Sequence, residues 1–548
     1  MIKFKDKYKR ILTFLFIFIF GFMLRLVFAP RENETADPFE VLTSAKTLAE
    51  TGKYLVPGIG SADLKIHYTH AGWPVGYPLI LSVIFKIFGY SELTARLVTI
   101  FLSSLAIICV AFIAYIFFGS KVACLAGFLM AVNPLLIAFN GRIFTNNPAL
   151  LFSLASLTFL LMSVVSKDKN KGFISNPSSI LKDKVHLISF LSSFLLLGFL
   201  LTIRDTEVMF MPVYLYIFFK SGFFNSSRNN DQYKSVFTLF LLAAISFIIG
   251  YLPSLYFNYQ NYGVFITSAH YQWGAKLDFN YLLFGSGTSL GLPGVLVIFI
   301  TTLIYCFPLV SVFFVDKTKI KDILFLLVIC VLFFLPVLII NGAYLVSSSG
   351  ASPRYILPLV PFVCILTAYS IFNLSLRIGI IWRIILLLTL FTWHIFLIYP
   401  APLFFKISPK IAYFAQYSPV YQRYPYKNYP AHINALSDWV KKNTPDNSVV
   451  IVPSSNPYHF YYYAQRDIVT YSNITSSALS KIIATRPVFL VEGHEDTYNP
   501  EKIIRVKGII NNANLDCLKV GEIELFSPRI GLTKMRIYKI VYPKDIEK

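Results

Sequence analysis

Charge is scarce in this sequence and cysteine is scarcer. Asp, Glu, Lys and Arg make up 14% of the 548 residues, and there are six cysteines. Five of them, Cys109, Cys124, Cys306, Cys330 and Cys364, fall inside apolar runs, where a thiol serves as a small hydrophobe; Cys517 stands alone. This excludes a disulfide framework. No Cys-x-x-Cys or His-Glu-x-x-His pattern occurs, which removes the common zinc signatures. No heptad array or short-period repeat is present, so coiled coils and solenoids drop out as well.

What the chain has is apolar length. It is 56% hydrophobic, with a mean hydropathy of +0.62. Runs of about 18 or more apolar residues read as membrane-spanning helices. Spans are expected near 11–29, 93–118, 121–139, 148–165, 187–203, 207–219, 236–257, 291–315, 323–341, 354–373 and 380–399. A shorter run, 77–89, is too short for a comfortable crossing and reads as a helix lying at, or dipping into, the outer face.

Charge sets the orientation. With the N-terminus "MIKFKDKYKR" in the cytoplasm, the inside segments carry about 19 Lys and Arg in fewer than 70 residues, against roughly nine in about twice that length outside. A full crossing by 77–89 would turn every later lysine-rich loop outward. The net charge of +21 is therefore mostly topology and contact with anionic lipid, not a nucleic-acid surface. The first run contains Arg25 and is followed by no clean small-x-small site, so it reads as a retained anchor.

The expected organisation is a polytopic α-helical membrane protein. It has about eleven transmembrane helices, a re-entrant or interfacial helix, and a C-terminal soluble α/β domain. Residues 1–399 form the bundle, with an outer loop at 30–92. A Tyr- and Pro-rich linker follows at 400–430, then the α/β domain at 431–548. In that last part Ile433, Leu436, Trp439 and Val440 recur at helical spacing, "VVIVP" reads as a buried strand, and "SSALSKIIATRPVFLVEG" repeats the helix–strand order. Eleven crossings place this domain outside the cytoplasm, in a multi-pass protein of the cell membrane.

Polar clusters fall at the outer ends of the spans. Asp37 precedes Pro38, with Glu40 three positions on, so a helix is expected from about Pro38 to Thr51 with Asp37 as its N-cap. That cap alone accounts for an acid here; a catalytic role is the alternative. His67 and His70 lie in the same loop and are either polar surface or ligands for a phosphate or metal. Gly72, Pro74, Gly76 and Pro78 predict a rigid turn. Arg142, with Asn146 and Asn147, leaves the bilayer before Pro148, and its plain reading is a snorkelling anchor. Arg204, Asp205 and Glu207 share a tight turn. Arg354 and Tyr355 follow a Ser-Gly-rich loop. Arginine suits phosphate because its planar fork donates two parallel hydrogen bonds.

The order of these segments resembles the GT-C superfamily of integral-membrane glycosyltransferases. The closest likeness is to the branch of protein O-mannosyltransferases and the aminoarabinose transferase of lipid A. The resemblance runs through Asp37 and "AKTLAETGKY" (Ala45 to Tyr54), "GYPLILSVIFKIFG" (Gly76 to Gly89), "ARL" at 95–97, "GRIFTNNPALLF", "PRYILPLVP" (Pro353 to Pro361) and "ALSDWVKKNTPDNSVVIV". It covers most of residues 1–465.

The resemblance implies a polyprenyl-phosphate-linked sugar as donor and a protein, glycan or lipid hydroxyl as acceptor. It implies Asp37 as the base, with Glu40 or Asn147 assisting. Arg354, Arg204 and Arg142 would hold the phosphate, and His67, His70 and Tyr355 would contact acceptor or sugar. Relatives commonly carry an acid just before the proline of the second outer loop; this chain has Asn146 and Asn147, which argues against a metal site built on two acids. No cofactor is required, and divalent metal dependence stays open. A lipid or glycolipid transporter and a non-catalytic protein on the same fold are the alternatives.

Overall fold

The computed structural model describes residues 2–28, 36–57, 68–70, 73–165, 177–220, 230–266, 320–329, 331–332, 357–377, 381, 429–453, 457–471, 474–492, 500–527 and 531–543. The span expected at 291–315 lies outside them, as do nearly all of 380–399 and the linker 400–430. Contacts divide the chain into two units. One is Met1–Ala29, Pro74–Tyr77 and Arg96–Pro419; the other is Pro30–Trp73, Pro78–Ala95 and Val420–Lys548.

The first unit is helical. It holds α1 (Ile2–Phe28), most of α4 (Glu92–Phe118), α5 (Ser120–Ala131), α6 (Pro134–Asn140), α7 (Asn146–Val164), α8 (Pro177–Lys182), α9 (Lys184–Ile203), α10 (Met211–Lys220), α11 (Asn230–Tyr262) and α12 (Val360–Arg377). Among the described residues, α4, α7, α9 and Tyr233–Tyr262 of α11 are long and apolar enough to cross a membrane. Helix α11 exposes Phe240, Ile249 and Leu252, as a lipid-facing helix does. It crosses α9 at Gly198 and Gly250. A Cβ on Gly198 would strike the Phe247 carbonyl, and one on Gly250 the Leu195 carbonyl. Small residues at such a crossing let the two backbones meet, which is how helices gain packing energy where lipid is as apolar as leucine.

Two expected spans differ in the structure. The run 121–139 is not one helix: α5 stops at Ala131 and α6 starts at Pro134. Asn133 caps α6, its Oδ1 accepting from the Leu136 amide at 3.0 Å, and Pro134 takes the first helical position, where no amide hydrogen is needed. Wholly buried Arg25 closes the other side of the break. Its guanidinium donates to the carbonyls of Gly21 (2.9 Å), Ala131 (3.0 Å) and Met130 (3.0 Å). The last two end α5, where carbonyls lack helical donors and the dipole is negative. The run 207–219 also divides, into a 3₁₀ turn at Asp205–Phe210 and the ten-residue α10. Acids at Asp205 and Glu207 keep that first segment out of an apolar helix.

The second unit contains α2 (Ala36–Thr51), the hairpin of β1 (Leu55–Pro57) and β2 (Tyr68–His70), most of α3 (Gly76–Phe88), and the C-terminal sheet. Helix α3 has 13 residues, as its short apolar run predicts; it buries Leu81 and Phe85 and exposes Val83, Ile87 and Phe88. The sheet has the order β4-β3-β5-β7-β6, from β3 (Val449–Val452), β4 (Asp467–Thr470), β5 (Val488–Glu492), β6 (Asp516–Ser527) and β7 (Gly531–Val541). β3 pairs in parallel with β4 and β5, whereas β7 runs antiparallel to β5 and β6.

Helices cover both sheet faces. Val450 and Val452 pack with Ile433, Leu436 and Val440 of α13 (Tyr429–Asn443) and Phe460 of α14 (Pro457–Ala464). Val449 and Ile451 pack with Leu479 and Ile482 of α15 (Ser476–Ile483) and with Ile503, Val506 and Ile510 of α16 (Pro500–Asn512). Alternate residues point to opposite faces and both faces are dry, so all four β3 residues are buried. The C-terminal part carries the expected α/β sheet.

Candidate active site

Asp37 lies within α2, which begins at Ala36, so it occupies the first helical turn and not the N-cap position that its Asp-Pro context suggested. Pro38 fits there because first-turn amides have no helical acceptor, and an acid there meets the positive end of the helix dipole. Phe39 is 1% exposed and Leu42 and Ala45 are buried, whereas Glu40 is half-buried. This turn is therefore anchored by its apolar side. Phe39 sits against two rings of α14, with centroids 5.4 Å from Tyr462 and 5.6 Å from Tyr463. After α2 the chain folds back as the β1–β2 hairpin, in which His70 is opposite Leu55. His67, Arg354 and Tyr355 lie outside the described residues.

Arg142 and Asn147 come together in the helical unit. The Asn147 amide nitrogen donates to the carbonyls of Phe139 (2.9 Å) and Arg142 (2.7 Å), binding the turn between α6 and α7 to itself. The assisting role expected for Asn147 therefore falls to a residue whose amide hydrogens are already engaged. Arg142 is 3% exposed, with its guanidinium 5.2 Å from the centre of the Phe139 ring. It is a buried cation and not the snorkelling surface anchor that its position in the sequence suggested. Around it, Asn140 is wholly buried and both its side-chain polar atoms lack a partner among the described residues, as do the Asn146 amide nitrogen and Asn147 Oδ1. Each such group carries a cost of about 1–3 kcal/mol, so neutral amides here are held against a stability penalty. The acid-to-amide departure in the sequence pointed to this segment; Asn140 itself carried no signal.

Arg204 and Glu207 also pair. Arg204 caps the end of α9, its amide donating to the Leu200 carbonyl at 2.9 Å, and its Nε lies 3.9 Å from Glu207 Oε1. Both side chains are mostly buried. Burial pushes the Glu207 carboxyl up from its ordinary value, against the pull of Arg204 and with a small push from Asp205. Gly76 is pressed onto this end of α9: a Cβ there would meet Thr202 and the Ile203 amide nitrogen. Gly76 and Pro78, expected in a rigid turn, instead open α3, and the glycine is required there by close backbone approach. Nearby, the Tyr77 hydroxyl bonds Thr99.

Residues 73–177 match the family described as Dolichyl-phosphate-mannose-protein mannosyltransferase. The fold is similar to that of ArnT from Cupriavidus metallidurans in the apo state, with a TM-score of 0.61 and 12% identity over 98% of each chain. It is equally similar to that ArnT bound to undecaprenyl phosphate (TM-score 0.61, 12% identity, 96% of this chain and 97% of that one). The archaeal oligosaccharyltransferase AglB from Archaeoglobus fulgidus, in complex with an inhibitory peptide and a dolichol-phosphate, follows at a TM-score of 0.58 and 12% identity, over 96% of this chain and 74% of that one. No sequence among the curated proteins matches the chain. Residues 73–177 are thus similar to a mannosyltransferase family, and nearly the whole chain shares its fold with ArnT and AglB.

Proposed function

We propose that the protein moves a sugar from a polyprenyl-phosphate donor to an acceptor hydroxyl at the outer membrane face, with inversion at the anomeric carbon. The observation that carries this reading is the shared fold, over 96% of the chain, with a transferase whose structure holds undecaprenyl phosphate. The sidedness of the Lys and Arg residues supports an extracytoplasmic site and a cytoplasmic N-terminus.

The chemistry needs few groups. A sugar or serine hydroxyl is a poor nucleophile, and Asp37 takes its proton as it attacks. Glu40, one turn along the same helix, is the candidate to assist it. Polyprenyl phosphate leaves without a general acid, but negative charge grows on it, and arginine stabilises that charge. Arg204, Arg142 and Arg354 are the candidates, with His67, His70 and Tyr355 left to contact sugar or acceptor. One displacement inverts the anomeric centre; retention would need a second, nucleophilic carboxylate. Neutral Asn146 and Asn147 leave Asp37 to act as base without a second acid in that loop.

The test is turnover of a panel of polyprenyl-phosphate sugars by purified protein in lipid, followed as release of free polyprenyl phosphate, in the native chain and in Asp37→Asn. The expected result is consumption of one donor and loss of at least about 100-fold in kcat in the variant, with donor binding kept. Equal turnover by the variant would reduce Asp37 to a helix-start residue. No consumption of any donor would favour the transporter or binding-protein alternatives.

A further inference from the structure

The C-terminal α/β domain has no assigned part in the reaction. Its helix α14 carries the run "HFYYYA", and two of these tyrosines lie against the helix that carries Asp37. Phe39, two residues after Asp37 and joined to it through Pro38, is buried between Tyr462 and Tyr463, with centroid distances of 5.4 and 5.6 Å. The two tyrosines meet edge to face at 4.9 Å. Tyr462 continues to Tyr90 at 5.7 Å, and Tyr90 to Phe85 at 5.0 Å, each edge to face. The Tyr463 hydroxyl donates to Glu92 at 3.0 Å, and Lys46 of α2 lies 4.9 Å over the Tyr90 ring. An aromatic seam therefore runs from the first turn of α2 through α14 to the end of α3.

We infer that Tyr462 and Tyr463 are positioning residues: through Phe39 they fix the first turn of α2, and with it the Asp37 carboxylate, in the geometry the transfer needs. This rests on the reading of Asp37 as base. Edge-to-face rings prefer particular orientations, so the seam sets the rotation and height of α2 as well as its attachment. Proline fixes its own φ, which leaves little slack between Phe39 and Asp37. A reacting group displaced by about 1 Å costs on the order of 100-fold in rate, so the domain acts on kcat without touching donor.

The experiment uses the full chain in lipid with undecaprenyl phosphate mannose and glucose as donors. Tyr462→Ala with Tyr463→Ala, Tyr462→Phe alone and Asp37→Asn are compared by kcat, KM and amide hydrogen exchange. The double alanine variant is expected to speed exchange in residues 36–51 about tenfold or more and to lower kcat about 10- to 100-fold. Donor KM should stay within about threefold of native, and exchange in β3 and β5 should be unchanged. Tyr462→Phe, which keeps the ring, should keep the native kcat. Unchanged protection of residues 36–51 overturns the inference, as does a loosened α2 with native kcat, or a rise in KM alone. If Asp37→Asn turns over like the native chain, the base reading fails by itself, and the exchange arm still decides whether the seam holds α2.

Discussion

Two buried arginines perform one task in two different surroundings. Arg25 in the helical unit closes the end of α5 through the carbonyls of Met130 and Ala131. Arg466 in the α/β domain closes the end of α13 through the carbonyls of Lys441 (2.9 Å) and Thr444 (2.8 Å). Both are at most 6% exposed. Arg466 also has a carboxylate, Asp446, at 2.9 Å, and that acid stands in solvent. Arg25 donates from two of its nitrogens to carbonyl dipoles, the third of them from its own helix at Gly21, while its Nε has no partner among the described residues. In the α/β domain the exposed Asp446 beside the helix end marks where water reaches it. Inside an apolar bundle an unpaired carbonyl has nowhere to turn, so a buried cation is kept to supply donors.

Removal of the cation should therefore cost more in the bundle. Arg25→Met is expected to destabilise the protein by about 3 kcal/mol or more, since several carbonyls lose donors at about 1–3 kcal/mol each. The check is the heat-aggregation midpoint in detergent, with Arg25→Lys recovering part of the loss. Arg466→Met should cost about 2 kcal/mol, seen as faster amide exchange in Tyr429–Asn443 only. If the two variants lose equal stability, the contrast drawn between the bundle and the α/β domain is wrong.

Asn140→Leu reverses the sign. It removes two unpartnered buried polar atoms, so it should stabilise by about 1 kcal/mol while lowering turnover, because strain of this kind persists where function needs it. A stabilised variant with native kcat would make Asn140 structural baggage. The smallest effect belongs to Asp446→Asn. Its carboxylate is almost fully exposed, and such a pair is worth about 0–1 kcal/mol and is screened by salt. A large loss there would mean that the carboxylate, and not the carbonyls, holds Arg466.

Much of the fold was legible because its signals are local. The four apolar residues of β3, the helical spacing of Ile433, Leu436 and Val440, and the 13-residue α3 each follow from a period or a length. The break in the 121–139 run was half legible. Asn133 and Pro134 mark a helix start, but hydropathy runs straight through them. What ends α5 is completed by a side chain 106 residues away. The candidate site divides in the same way. Asp37 and the Asn146–Asn147 departure stand out by residue type. Burial of Arg142, pairing of Arg204 with Glu207, and the grip of Tyr462 and Tyr463 on Phe39 do not.

By itself the sequence determined the class of the molecule: apolar runs too long for a soluble core, and an α/β pattern after them. These are sums over neighbours along the chain, so they need no partner from elsewhere. Tertiary structure alone decided which polar groups are buried, which carbonyls a distant guanidinium satisfies, and which rings hold α2. Those depend on contacts between residues far apart in the chain, where geometry and desolvation, not residue type, set the energy.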